Sequence, residues 1–123
     1  MRTEWVKSWK SSKQPRKQRK YAYNAPAHVS QRKMRAPLSK TLRQTHKKRA
    51  LGVRVGDEVR ILRGDFKGRK GKVERVVKRL ESVVVAGVSR QKSDGSKSSA
   101  LIHASKVMIT KLNLDDSKRL RKK

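Results

Sequence analysis

The spacing of apolar positions changes near residue 51, and beyond it the chain reads as a run of short strands. Residues 58–62, Glu-Val-Arg-Ile-Leu, alternate polar and apolar, the period of two that a half-buried strand requires. Residues 64–68, Gly-Asp-Phe-Lys-Gly, make a turn, and 70–77 predict a second strand. Val73, Val76 and Val77 break strict alternation there, which predicts a bulge near Arg75. A third strand follows at 82–88. Ser93-Asp94-Gly95-Ser96 predicts a hairpin tip, because Asp-Gly tolerates positive φ. A return strand begins over 100–103 and a last one runs over 107–112. Five short strands in this space predict a mainly β fold, a small closed or nearly closed barrel.

Before residue 51 the pattern is thinner. Pro26 opens a short helix reaching Met34, and Ser39 is placed to cap a second one over 40–46, with Pro37 just before it. Val29, Met34, Leu38 and Leu42 form a narrow apolar stripe, enough to pack on another element but too little for a core. Residues 13–20 hold five bases and nothing apolar, so burial cannot offset their ordering entropy, and disorder is expected when the chain is free. The three prolines all lie before residue 51 and the seven glycines all after it. The division that results is a basic arm with short helices (1–50), a β-barrel (51–114) and a basic tail (115–123).

Charge changes the picture most. The 123 residues carry 36 lysines and arginines against nine acids, a formal net charge of +27. Self-repulsion of that size opposes compaction unless a polyanion neutralises it, so nucleic acid is the predicted partner. A solvated surface kept for solubility needs a net charge of only about 2–8. The arm alone holds sixteen bases and one acid. No apolar run approaches the roughly 18 residues of a membrane span, and the basic N-terminus is followed by no apolar stretch, so a soluble intracellular protein is expected. There is no cysteine, which excludes disulfides, thiolate metal sites and cysteine nucleophiles. His28, His46 and His103 are too scattered for a metal site. Asp115 and Asp116 read as a solvated helix start, and 118–123, five bases in six residues, as a flexible phosphate-binding tail. Ser99 and Ser105 have no base arranged to activate them. Catalysis, cofactors, metals and a small-molecule substrate are therefore not expected.

The stretch over 55–73, VGDEVRILRGDFKGRKGKV, is the most specific in the chain. Gly64 and Gly68 allow loop backbone angles that other residues avoid, and Gly71 marks a bend or close backbone approach. The loop they shape presents Arg63, Lys67, Arg69 and Lys70 to phosphates. Gly56-Asp57 opens the preceding strand. This stretch resembles the KOW motif. With the arm segments at 12–20, at 23–28 (Tyr-Asn-Ala-Pro-Ala-His) and at 37–43 (Pro-Leu-Ser-Lys-Thr-Leu-Arg), and with 102–112 near the end, the chain resembles the universal large-subunit ribosomal protein number twenty-four family in its archaeal form. Thr41, Ser30, Gln31 and Ala104 depart from the residues usual in that family.

The resemblance implies an SH3-like five-stranded barrel and a structural role in the large ribosomal subunit. It implies binding to the 5′ domain of large-subunit rRNA early in assembly, a place near the exit of the peptide tunnel, and neighbouring ribosomal proteins as partners. A cytoplasmic location, no membrane and no homo-oligomer go with it. The residues expected to meet rRNA are Lys13, Arg16, Lys17, Arg19, Lys20, Tyr21, Tyr23, Asn24, His28, Lys40, Arg43, Arg63, Lys67, Arg69 and Lys70. Cations would bind by counterion release, and tyrosines, with Trp5 and Trp9, either stack on unpaired bases or pack within the protein. The alternative is a KOW-type transcription elongation factor binding RNA and polymerase, which normally has an α/β domain where this chain has its arm. A modifying enzyme lacks a catalytic constellation here, and a DNA compactor would not need the ordered arm motifs.

Overall fold

The computed structural model describes residues 5–120. A 3-10 turn (Lys7–Ser11) leads into helices α1 (Pro15–Asn24) and α2 (Ala27–Lys33). Strand β1 (Arg35–Pro37), helix α3 (Lys40–His46) and strand β2 (Ala50–Gly52) follow. Strands β3 (Glu58–Ile61), β4 (Lys70–Val77), β5 (Ser82–Gln91), β6 (Lys97–His103) and β7 (Val107–Lys111) then complete the chain's regular structure. These last five form one antiparallel sheet in the order β6-β5-β4-β3-β7. The predicted strands are all present, and β5 and β6 are longer than expected, extending the hairpin to the Asp94-Gly95 tip. That tip is held by Asp94, whose carboxylate accepts from the backbone and hydroxyl of Ser96 at 2.9 and 2.6 Å.

The β4–β5 register shifts between Val73 and Arg75, where the broken alternation predicts it. An extra residue there bends the strand and lets Val73 point into the core. Gly71 lies next to this bend. A Cβ built on it would stand 2.6 Å from the Ala86 carbonyl oxygen, so β4 and β5 approach as closely as they do only because the side chain is missing.

The core gathers Val59, Ile61, Val73, Val83, Val85, Val107 and Ile109 from the sheet. It also takes Met34, Ala36 and Leu38 from the segment around β1. β1 pairs with β2, and the Ser39 amide donates to the Ile109 carbonyl at 2.9 Å. Part of the apolar stripe read in the arm is thus sheet core. Ser39 caps α3 as expected, accepting from the Leu42 amide at 3.4 Å.

The expected disorder of 13–20 gives way to α1. Pro15 pre-sets the first helical turn. The Gln18 side-chain amide reaches the carbonyls of Trp9, Lys10 and Ser12 at 3.2, 3.1 and 2.5 Å, tying the helix to the preceding turn. Tyr21 is buried, with its ring 5.2 Å from that of Trp5. The apolar contacts that offset ordering lie just outside the window that composition judged empty.

The tail also differs from expectation. Residues 117–120 form a turn rather than a helix, and Arg119 folds back under the sheet rather than reaching for phosphate. Its side chain is 3% exposed against a fully buried Asp57. The guanidinium meets both carboxylate oxygens, at 2.6 and 2.5 Å, and donates to the Asn113 and Gly52 carbonyls at 2.6 and 3.0 Å. Asp57 accepts further bonds from the amides of Arg54 and Asn113, each at 2.9 Å. Such a pair is tolerable in a dry interior because of its two-point geometry and extra hydrogen bonds. These satisfy the carboxylate and both terminal guanidinium nitrogens and leave only the Arg119 Nε without a partner among the described residues. The rest of the tail reading, over 121–123, falls outside the described residues.

Candidate nucleic-acid interface

Helix α1 sorts its side chains by the 3.6-residue period. Gln18 and Tyr21 turn toward the 3-10 turn and Trp5. Arg16, Arg19, Lys20 and Tyr23 fall at i, i+3, i+4 and i+7, one contiguous stripe on the other side, with Lys17 at its flank. All four cations are exposed, as is Lys13, and the Tyr23 ring is 82% exposed. Among the described residues no carboxylate lies within ion-pair distance of any of these cations. Lys20 sits over the Trp9 ring at 5.1 Å, which orients its ammonium without neutralising it. The helix thus presents positive charge and one aromatic face to solvent.

The two tyrosines separate. Tyr21 anchors α1 on Trp5, the packing role, whereas Tyr23 is presented outward. Asn24 ends α1 half-buried, and His28 is exposed on α2. Lys40 is exposed at the start of α3. Arg43 is held by its Nε, which donates to the Leu38 carbonyl at 2.7 Å and leaves the residue exposed overall.

A second cationic group stands on the β3–β4 loop, where Arg63, Lys67, Arg69 and Lys70 are all exposed. Gly64 and Gly68 have φ of 94° and 87°, so the loop uses the left-handed region as the motif predicts. Gly56 has φ 90°, and a Cβ there would stand 2.6 Å from the Asn113 side chain. Gly56 and Gly71 therefore serve geometry, and Asp57 serves the buried pair. Phe66, at the loop's centre, packs partly against the core with Arg69 over its ring at 5.3 Å.

Sequence reasoning passed over Arg90 and Lys106. Arg90 projects from the end of β5, lies 5.9 Å over the Phe66 ring and pairs with Asp65 at 2.9 Å. Lys106 lies beside the same loop, in the 3-10 turn before β7. Arg90 belongs to none of the motif segments, and Lys106 lies in the segment at 102–112 but is not among the residues expected to meet rRNA. Only the sheet order, which sets the β5–β6 hairpin and the β6–β7 turn beside the β3–β4 loop, brings them there.

Glu81 joins the N-terminal region to the sheet. Lys33 of α2 meets it at 2.8 Å and the His103 Nε2 at 3.3 Å. Partial burial raises the Glu81 pKa, but the bonds and charges of Lys33 and His103 outweigh that, and the net result lies below the ordinary carboxylate value. His103 Nδ1 accepts from the Ser105 amide at 3.2 Å, which places a ring proton on Nε2, facing Glu81. His103 is thus engaged in hydrogen bonds within the protein, to Glu81 and Ser105. Among the described residues no cluster of three or more potential metal ligands occurs, and no helix is long and apolar enough to cross a membrane.

Comparison with known proteins places the chain in a family. A protein of Methanothrix thermoacetophila named large ribosomal subunit protein uL24 is 51% identical over 108 residues, covering 88% of this chain and 93% of that protein. A protein of the same name from Methanoregula boonei is 48% identical over 111 residues, covering 90% and 92%. Residues 12–123 match the family that unites ribosomal protein L26 of eukaryotes with its archaeal L24 counterpart. The match takes in the outward face of α1, the glycine-shaped loop and the carboxyl-terminal arginine alike, and the chain belongs to that ribosomal protein family.

Proposed function

We propose that the chain is a non-catalytic structural protein of the large ribosomal subunit that binds large-subunit rRNA. The solvent-facing stripe of α1 carries the reading: three unneutralised cations and an exposed tyrosine on one helical surface, with a fourth cation, Lys17, at its flank. Such a surface fits phosphates and unpaired bases together. Lys13 and the loop cations Arg63, Lys67, Arg69 and Lys70 extend it, with His28, Lys40 and Arg43 on the neighbouring helices. Contacts of this kind go mainly to phosphate and sugar, so recognition is of RNA shape more than of sequence.

Family membership supports the finer points of the same reading. These are a sheet closed into an SH3-like barrel, binding to the 5′ domain of the rRNA early in assembly, a position near the tunnel exit among other ribosomal proteins, and a cytoplasmic location. Opposite charge on rRNA relieves the self-repulsion of a +27 chain, which makes the free protein the less comfortable state.

The test is rRNA binding by the full chain with Arg16, Lys17, Arg19 and Lys20 replaced by alanine, measured across salt concentrations. Each phosphate contact adds about 0.7–0.9 to the log-log salt slope, so the slope should fall by about 3 while the sheet stays folded. An unchanged slope would reject α1 as the phosphate-binding element. Failure of the wild-type chain to sediment with the large subunit after a high-salt wash would reject the function itself.

A further inference from the structure

One cation of the β3–β4 loop, Arg63, joins Arg90 and Lys106 at the rim of a cleft. It has a volume of about 140 Å³ and lies between that loop and the β6–β7 turn. Leu101, about half exposed, and the partly buried Phe66 are its apolar walls over the core residues Ile61 and Ile102, and Arg63, Arg90 and Lys106 are cations on it. The guanidinium of Arg90 faces the Phe66 ring at 5.9 Å and that of Arg69 at 5.3 Å. The acid within it, Asp65, is already paired with Arg90 at 2.9 Å.

Resting on the rRNA-binding reading above, we propose that this cleft takes a single unpaired nucleotide of RNA, the base against Phe66 and the guanidinium planes, the phosphate on the cationic rim. The size fits one base. A cavity of about 150 Å³ encloses a benzene ring, so this cleft, of similar volume but open on one side, has room for a ring of one base with the rest projecting outward, and not for a base pair. The lining fits as well. A site for phosphate alone has no use for an exposed leucine beside a phenyl ring, and a site for an apolar peptide side chain has no use for several arginines and lysines. A ring and a leucine beside a cationic rim complement a nucleotide, whose flat base and charged phosphate are covalently joined. The position adds preorganisation. Ile61 and the β6 side chains stand on sheet strands, and Phe66 of the glycine-shaped loop packs against the core, so the ring is held before RNA arrives.

Phe66 is the only phenylalanine in the chain, so it reports alone. The wild-type chain, ring-labelled at phenylalanine, is titrated with adenosine monophosphate and separately with inorganic phosphate, and the ring signals are followed by NMR. A saturable upfield ring-current shift with the nucleotide, absent with phosphate, is the expected result. Equal shifts with both, or none with the nucleotide, would overturn the proposal. In rRNA binding, Phe66→Leu should weaken affinity about 5–150-fold, the worth of one stacked base, without changing the salt slope, since no charge is removed. Full affinity in Phe66→Leu would also overturn it. The α1 alanine variant should keep the nucleotide-induced shift while losing salt slope, so a failed cleft and a failed rRNA-binding reading give different results.

Discussion

Replacing Arg119 by alanine should destabilise the fold severely, although the residue lies only four positions from the end of the chain. The two members of the pair are not equally free. Asp57 sits at the entry to β3 and is fully buried, fixed by the Arg54 and Asn113 amides that donate to it. It cannot follow its partner out to water. Without the guanidinium, two backbone hydrogen bonds must stabilise a full negative charge alone, and the Asn113 and Gly52 carbonyls lose their donors as well. Removing one member of a buried pair costs about 3–5 kcal/mol. Water entering the space left by the tail lowers this, so about 3 kcal/mol is the expected loss. For a domain of this size that corresponds to a fall in Tm of roughly 10–20 °C.

The double variant Asp57→Asn, Arg119→Met separates charge from packing. It removes both charges and keeps most of the volume, so it should be distinctly more stable than Arg119→Ala alone, as buried pairs exchanged for neutral groups usually are. Urea unfolding of all three proteins, followed by far-UV circular dichroism, gives the comparison. A loss below about 1 kcal/mol for Arg119→Ala would put the pair in the range of surface ion pairs and refute the reasoning.

Three further outcomes follow from local geometry. Gly71→Ala should cost about 1–3 kcal/mol in urea unfolding, because its Cβ would stand 2.6 Å from the backbone oxygen of Ala86, while Gly52→Ala, with open space around it, should be close to neutral; equal effects would contradict the close approach. Glu81, held below the ordinary carboxylate pKa by Lys33 and His103 against the opposing effect of burial, contributes stability that is full above the unfolded-state pKa and is lost as pH falls through the folded one. Glu81→Gln should therefore flatten the acid side of the stability profile, and a profile as steep as the wild type's would remove Glu81 from the account. Tyr21→Ala should release α1 from Trp5, raising amide hydrogen exchange over 15–24 while the β3–β7 sheet keeps its protection; unaltered exchange in α1 would mean the ring contact does not hold the helix.

The sheet was legible because its signals are local. Period-two alternation placed β3, the broken alternation at Val73 placed the β4 bulge, and Asp-Gly placed the hairpin tip. Ser39 and its helix were legible for the same reason, since a cap acts within three residues. What escaped was every contact whose partners are distant in sequence. β1 and β2 have three residues each, too few for any periodicity, and exist because they pair with one another. Composition assigned Met34, Ala36 and Leu38 to the arm, and packing assigns them to the sheet core. Both failures share a cause: a window over the chain measures what a segment can bury by itself, not what it can bury in something else.

The same cause divides the candidate interface. Exposed cations in a basic run are legible as cations, because solvent asks nothing of them beyond charge. Tyr21 and Arg119 stand in equally basic surroundings and are both buried, one by a ring 16 residues earlier in the chain and the other by a carboxylate 62 residues away. In a chain this rich in positive charge, an arginine's identity carries little information and its partner carries nearly all of it. Asp57 is the informative residue of that pair: a buried acid at a strand entry must be neutralised by some cation, and the fold selects Arg119 from 36 lysines and arginines by bringing the tail across the start of β3. Acids, being scarce here, are therefore the better guide to structure, and the cations left without one are the ones to test against the proposed RNA.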